Sequence, residues 1–156
     1  MHITARGDYA LRALAELAAA APAPVKAERL AAAQAIPHKF LESVLADLRR
    51  GGLVLSRRGP DGGYWPARPA EEISVADVVR AVEGPLASVR GERPEDVRYP
   101  GAAASLVDVW IAARVNLRAV LENITIADVA TGELPAFVGD LASDPGAWHR
   151  RADHVG

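Results

Sequence analysis

The sequence predicts a mainly α-helical protein that contains one small β-hairpin and one long, late helix. Apolar residues recur at helical spacing in several segments, whereas only residues 53–66 combine strand-forming residues with dense turn chemistry. Residues 103–124 carry a heptad-like apolar rhythm. Half of the 156 residues are hydrophobic and 5% are aromatic. Because most of the apolar residues are Ala, Leu and Val, the composition favours helices.

Three helices are predicted within the first fifty residues. Thr4 is a suitable N-cap for the first helix, which ends before the prolines of residues 21–24. A shorter helix follows at about 27–34. The third helix begins after Pro37, which suits a first helical turn, and it ends at Gly51. One face of this third helix is apolar and consists of Leu41, Val44, Leu45 and Leu48.

A β-hairpin is predicted after the third helix. Its first strand spans 53–57, its turn spans 58–63, and its return strand begins at Tyr64. Pro66 cuts the return strand short, because proline cannot donate a ladder hydrogen bond. Arg57 at the end of the first strand, Arg58 in the turn and three glycines in the turn predict a basic, glycine-rich tip.

Helical signals return after the hairpin. Ser74 is an N-cap for a helix that ends at Gly84, and a loop at 86–104 precedes a long helix at about 103–123. The apolar positions of the long helix alternate steps of four and three, which is typical of one helix packed along another. We assign this seam to a dimer interface formed by Leu106, Trp110, Ala113, Leu117, Val120 and Ile124. The alternative is that the seam packs inside one subunit.

The chain is therefore divided into three parts. Residues 1–70 form the first domain, and residues 71–130 contain the linker helix, the loop and the long helix. Thr125 with Asp128 is the cap signal of one more short helix. Residues 131–156 are rich in Gly, Pro and Asp, so we expect a mostly irregular tail.

The net charge of −2 conceals an asymmetry along the chain. Residues 1–69 contain 10 Lys/Arg and 6 Asp/Glu, a net +4, whereas residues 70–156 contain 8 and 14, a net −6. A basic N-terminal half suggests a polyanionic partner for that half.

Several classes of protein are excluded by what the sequence lacks. It contains no cysteine, so disulfides, thiol catalysis and cysteine-held zinc or iron–sulfur sites are ruled out. No apolar run reaches the roughly 18 residues that would span a bilayer, and no signal peptide is recognisable, so we expect a cytoplasmic protein without a membrane partner. No nucleophile–base pair, phosphate loop or metal motif is present, so no enzymatic activity, cofactor or metal is expected.

Helix, short turn, helix and basic hairpin follow one another in the order of a winged helix-turn-helix domain. The third helix uses its apolar face for the core, which frees Lys39 and Glu42 for a DNA major groove. Lys39 could reach guanine or phosphate, Glu42 could accept a hydrogen bond from a cytosine amino group, and an arginine of the hairpin could enter a minor groove. Taken singly, these features also fit a solvated helix face and a plain turn. The alternative for the whole is a protein-interaction module that no longer binds DNA.

Four segments resemble the bacterial regulator family that includes IscR, NsrR and CymR. The stretch GLVLSRRGPDGGY at 52–64 resembles the wing of that family, and ITARGDYAL at 3–11 resembles the start of its first helix. ISVADVVRAVEGP at 73–85 is similar to the helix after the wing, and NITIADV at 123–129 to the end of the dimerisation helix. The resemblance covers about residues 1–130 in the right order.

This resemblance implies a homodimer that binds double-stranded DNA at a palindromic operator, with repression as the first expectation and activation as the other. The residues expected to contact DNA lie on the first helix, the recognition helix and the wing. They are Thr4, Arg6 and Tyr9, then His38, Lys39, Glu42 and Ser43, and finally Arg57, Arg58, Gly59, Gly62, Gly63 and Tyr64.

The sequence departs from this family in its sensor loop. Several members sense redox state or nitric oxide through an iron–sulfur cluster whose cysteines lie before the dimerisation helix. The corresponding loop here, 86–104, contains neither Cys nor His. Asp8 matches a carboxylate ligand of one branch, but a single carboxylate cannot hold a cluster, so we expect a structural role for it. The resemblance thus implies a member without a cluster.

The same loop is polar and long, and it stands where relatives keep their sensor. We expect it to bind a small molecule or a partner protein through Arg90, Arg93, Arg98 and Tyr99. The alternative is that the loop is a degenerate remnant and that the protein is controlled by its abundance alone.

Overall fold

A computed structural model describes residues 1–151, and in that part of the chain the fold is mainly α-helical with one antiparallel hairpin, as predicted. The elements are α1 Ala5–Ala20, α2 Ala27–Gln34, α3 His38–Arg50, β1 Val54–Arg57, β2 Gly63–Pro66, α4 Val75–Glu83, α5 Leu106–Leu121, α6 Ile126–Thr131 and α7 Ala136–Ala142. None of these helices is both long and apolar enough to cross a membrane.

The core is built around α1. Its inward face is fully buried and meets the apolar stripe of α3, which the helical periodicity predicts. The two faces consist of Ala10, Ala13, Leu14, Leu17, Leu41, Val44, Leu45 and Leu48. The same cluster includes Ile73, Val78 and Ile126, so the core continues beyond the boundary expected at residue 70.

A three-residue turn joins α2 to α3. Ala35 adopts a left-handed conformation (φ 51°) that ends α2. Ile36 is buried, and its N–H donates to the carbonyl of Ala31 at 3.0 Å. Pro37 follows as the N-cap residue of α3. The turn is therefore anchored in the core, which fixes the direction in which α3 leaves it.

The hairpin is joined to the helical domain by its second strand. Val54 pairs with Pro66 and Arg57 with Gly63. Tyr64 also forms a bridge to Val25, with N···O distances of 2.8 and 2.9 Å. A Cβ atom on Gly63 would lie 2.7 Å from the backbone of Val25, and Gly63 has a φ of 144°. Only glycine permits this close approach, so the position of the hairpin depends on it.

Helices α4 and α6 begin side by side. Each has a capping box, formed by Ser74 with Asp77 and by Thr125 with Asp128. Two backbone hydrogen bonds between residues 73–75 and 124–126 join the two starts. As a result α6 returns to the core against α1.

Ile124 lies in this junction and not in the long helix. Helix α5 ends at Leu121, and the side chain of Ile124 is buried inside its own protomer. The structure therefore corrects the assignment of Ile124 to a dimer seam. The reason is local, because the helix stops and the capping box of Thr125 turns the chain inward.

No residue of α5 is fully buried, although the helix is rich in apolar residues. Leu106, Val109 and Val115 are among its exposed side chains. Trp110 is half-buried, and its indole N–H donates to the Tyr99 hydroxyl at 3.0 Å. Helix α5 thus lies along the surface of the protomer and packs on it with only one side.

The C-terminal region is more ordered than predicted. Residues 131–156 were expected to be mostly irregular, but α7 occupies Ala136–Ala142, with Phe137 and Val138 half-buried. Pro135 stands at its N-cap and favours the start of a helix. Residues 152–156 of the expected tail lie outside the described residues.

We predict that Gly63→Ala destabilises the domain by about 2 kcal/mol, because the new methyl group meets the Val25 backbone and strains a left-handed position. The expected result is a fall of roughly 5 °C in the melting temperature, measured by circular dichroism. Gly139→Ala in α7 is the control, since nothing lies within 4 Å of its added Cβ. Equal melting temperatures for both variants would contradict the structural role of Gly63.

Candidate nucleic-acid interface

Helix α3 presents a polar face opposite its buried stripe. Lys39, Glu42 and Ser43 are exposed there, at the start and middle of the helix. Lys39 has no hydrogen bond or ion pair within residues 1–151. The predicted recognition residues therefore lie on one accessible surface, as the periodicity of α3 requires.

His38 is less accessible than its neighbours on α3. Its Nδ1 lies 3.6 Å from a carboxylate oxygen of Glu42, and its Nε2 lies 3.7 Å from one of Glu28 on α2. The Nε2 atom is buried. The imidazole of His38 thus lies between the carboxylates of Glu28 on α2 and Glu42 on α3, with 40% of the side chain exposed.

Arg6 is held by α3 through three groups. Its Nε donates to Asp47 at 2.6 Å, and a terminal nitrogen donates to the Ser43 hydroxyl oxygen at 3.0 Å and to the Ser43 carbonyl at 3.2 Å. Partial burial raises the pKa of Asp47, but hydrogen bonds from Arg6 and Arg50 outweigh this effect and leave the pKa below its usual value. Arg6 therefore links the start of α1 to the middle of α3 and fixes the orientation of α3 relative to α1.

The start of α1 is occupied by a carboxylate that the sequence did not reveal. Glu83, the last residue of α4, accepts hydrogen bonds from the backbone N–H groups of Thr4 and Gly7, both at 3.1 Å, and from the Thr4 hydroxyl. Thr4 also caps α1, as predicted. Of the predicted phosphate contacts, Thr4 and Arg6 thus have intramolecular partners, and the ring of Tyr9 packs edge-on against Phe40.

The tip of the wing carries a free arginine. Arg58 is exposed and has no hydrogen bond or ion pair in the described part of the chain. Arg57 instead donates to the carbonyl of Asp61 at 3.1 Å. Gly59 has a φ of 105° at the turn, and the close approach at Gly62 leaves no room for a side chain. Arg58 is therefore the wing residue best placed to reach outward.

Two basic residues outside the predicted set connect the wing to the helices. Lys26 donates to the carbonyl of Gly59 at 3.0 Å, and Arg49 of α3 donates to the Ser56 hydroxyl at 3.2 Å. The sequence signal for them was only their charge and their position off the apolar faces. Together with the exposed face of α3 and the wing, they border a groove of about 570 Å³.

The residues present do not fit an iron–sulfur cluster or another iron site. Cluster ligation needs thiolates, and the chain contains none. Within residues 1–151 no three His, Asp or Glu side chains come together as a metal site. Asp8 forms an ion pair with Arg12, one turn further along α1, at 2.9 Å on the surface.

Comparisons with known proteins agree with this arrangement. Residues 3–132 match the Rrf2 family, described as iron-dependent transcriptional regulators. The Mycobacterium tuberculosis protein Rv1287, named as an HTH-type transcriptional regulator, is 51% identical over 145 residues, which cover 92% of this chain and 90% of that protein. CymR of Bacillus subtilis is 30% identical over 142 residues, with 88% and 98% covered.

Solved structures give the same result. The structure of CymR, the global cysteine regulator of B. subtilis, superposes with a TM-score of 0.72 at 29% identity and covers 85% of this chain and 98% of that one. IscR of T. potens superposes with a TM-score of 0.67 at 28% identity, with 85% and 88% covered. The chain belongs to the Rrf2 family of winged helix-turn-helix transcriptional regulators, which are DNA-binding proteins and not enzymes.

Proposed function

We propose that the protein is a cytoplasmic repressor that binds a palindromic operator as a homodimer, without an iron–sulfur cluster. The observation that carries the proposal is a pair of exposed cations, Lys39 on α3 and Arg58 on the wing. Neither side chain has a partner within residues 1–151, whereas Arg6, Arg12 and Arg50 of the same domain form ion pairs. Cations left free on one surface supply the phosphate attraction that DNA binding requires.

The groove between α3 and the wing supports separate DNA contacts for the residues on its two sides. Lys39 and Glu42 enter the major groove with α3, and Arg58 enters the adjacent minor groove. Because the carboxylate of Glu42 repels phosphate, its contribution is to select a cytosine amino group and disfavour other bases. The contacts of Lys26 and Arg49 keep the wing at a fixed distance from α3. This rigidity favours specific over non-specific binding.

Helix α5 supports the homodimer. Its exposed side includes Leu106, Val109, Ala113 and Asn116, which follow one another in steps of three and four. Trp110 and Leu117, which the sequence analysis assigned to the seam, line a cavity of about 640 Å³ in their own protomer. Ala113 is exposed but also lines this cavity, so it lies at the border between the cavity and the exposed side. We therefore propose a seam rotated slightly around α5, in which Asn116 fixes the register. A two-fold pair of α3 helices then matches a palindrome.

We predict that Arg58→Gln lowers the affinity for the operator by about tenfold or more, because the dimer loses two charged minor-groove contacts, one from each protomer. The operator is first obtained by pull-down of genomic duplex fragments at near-physiological salt. Affinity is then measured by fluorescence anisotropy over a range of salt, where the variant is expected to show a shallower salt dependence.

Arg90→Gln is the matched control for Arg58, since it removes the same charge from the loop 86–104, outside α3 and the wing. It should bind the operator like the wild type. If the wild type enriches no sequence, or if Arg58→Gln binds the operator as tightly as the wild type does, the proposed DNA interface is wrong and a protein-interaction module is the better description.

Val109→Glu is predicted to convert the dimer to a monomer, because it places a charge at the centre of the proposed seam. Val115→Glu is its control on the same helix. Val115 is equally exposed but lies about 140° around α5 from the centre of the seam. Sedimentation velocity at micromolar concentration is the measurement. A dimeric Val109→Glu variant, or a monomeric wild type, would refute the proposed interface.

A further inference from the structure

Four arginines from separate parts of the chain line one small cavity in the acidic half of the protein. Arg80 comes from α4, Arg93 from the loop 86–104, and Arg114 and Arg118 from successive turns of α5. The cavity has a volume of about 240 Å³ and is closed on its other sides by residues 85–87 and 94–95. Such a convergence of guanidinium groups is unexpected in a region with a net negative charge.

The carboxylates nearby do not neutralise these arginines. Glu95 pairs with Arg114, and Glu122 pairs with Arg80 and lies 4.0 Å from Arg118. Two carboxylates thus serve four guanidinium groups. The side chain of Arg93 is exposed and makes no hydrogen bond or ion pair in the described part of the chain, although its charge interacts with that of Glu95. The lining therefore keeps a positive charge, which attracts anions.

Arg114 has a further unused donor. Its side chain is only 16% exposed, and its Nε atom is buried without an acceptor among residues 1–151. Buried donors without a partner are rare in folded proteins. A carboxylate or phosphate oxygen in the cavity is the type of acceptor that a guanidinium group binds best, because two parallel N–H groups match two oxygens.

The loop residues expected to form an effector site are separated by the structure. Only Arg93 reaches the cavity. Arg98 donates to the carbonyls of Glu95 and Val97 at 2.6 and 2.8 Å, so it stabilises the turn of the loop. Tyr99 accepts a hydrogen bond from Trp110, and Arg90 is exposed outside the cavity.

We propose that this cavity binds a small anion that carries carboxylate or phosphate groups. Its volume is below the roughly 300–1,000 Å³ typical of sites for drug-sized ligands, so the ligand is a small metabolite. Arg114 and Arg118 face away from the proposed seam of α5, which leaves the cavity open in the dimer. The exposed side chains of Arg93 and Arg118 bind the anion at the opening of the cavity, and the more buried Arg114 binds it at the bottom.

The cavity is connected to the recognition helix by contacts already described. Arg80 and Glu83 share α4, Glu83 accepts hydrogen bonds from the start of α1, and Arg6 of α1 holds Ser43 and Asp47 of α3. An anion that draws Arg80 away from Glu122 therefore acts on α4, which is the first element in this chain of contacts toward α3. Control of operator binding by the anion rests on the proposed function, whereas anion binding itself does not.

The test is calorimetric titration of the full chain without DNA, with citrate and inorganic phosphate as separate probes and chloride at matched ionic strength. We expect at least one probe to bind. Arg93→Gln should weaken that binding about tenfold or more, because a charge-assisted contact is lost from an exposed side chain with no structural partner. Arg90→Gln, a loop arginine outside the cavity, should bind like the wild type.

The outcomes distinguish the alternatives. Binding of citrate alone supports a carboxylate ligand, and binding of phosphate alone supports a phosphorylated one. The proposal is overturned if neither probe binds the wild type, or if Arg90→Gln weakens binding as much as Arg93→Gln, which would indicate non-specific attraction. Operator affinity is measured separately, so a failure of DNA binding with intact anion binding would contradict the proposed function and leave the anion site standing.

Discussion

Helix α1 is buried beneath most of the other elements of the protein. This helix contacts α2, α3, α4, α6 and β2, and its inward face is fully buried. Because all of these elements pack against one helix, the orientation of α3, the position of the wing and the return of α6 are coupled. The hydrophobic contacts supply most of the stability, and the polar contacts of Arg6 and Glu83 fix the directions.

The charge distribution of the sequence does not by itself locate the binding surfaces. In the basic half, Arg6, Arg12 and Arg50 are used in intramolecular ion pairs, and Lys26 holds the wing. The cations whose side chains have no partner in the described part of the chain include Lys39 on α3, Arg58 at the wing tip and Arg29 on α2. In the acidic half, by contrast, folding brings four arginines together at one cavity. Net charge therefore describes a region, whereas recognition depends on which charges are left unpaired.

Helix α5, unlike α1, lies outside the core of the protomer. It is rich in apolar residues, yet none of them is fully buried in the protomer. One side lies on α4 and on the loop 86–104, a second side carries the arginines of the cavity, and a third offers the seam proposed for the dimer. A helix with this much apolar surface is stabilised mainly by the protein surfaces that pack against it. That position would make α5 sensitive both to a partner protomer and to a ligand between it and α4.

The elements and their order can be predicted from the amino-acid sequence alone, because the helical period of α3, the turn chemistry of the wing and the capping residues Thr4 and Ser74 are local signals. The sequence also determined the absence of thiolate ligands and, through the wing motif, the family. Contacts in the folded chain establish that Ile124 turns inward, that α7 forms, that Glu83 accepts hydrogen bonds at the start of α1, and that Arg93 and Arg114 line one cavity. These features depend on contacts between residues far apart in the chain, and neither periodicity nor propensity carries that information.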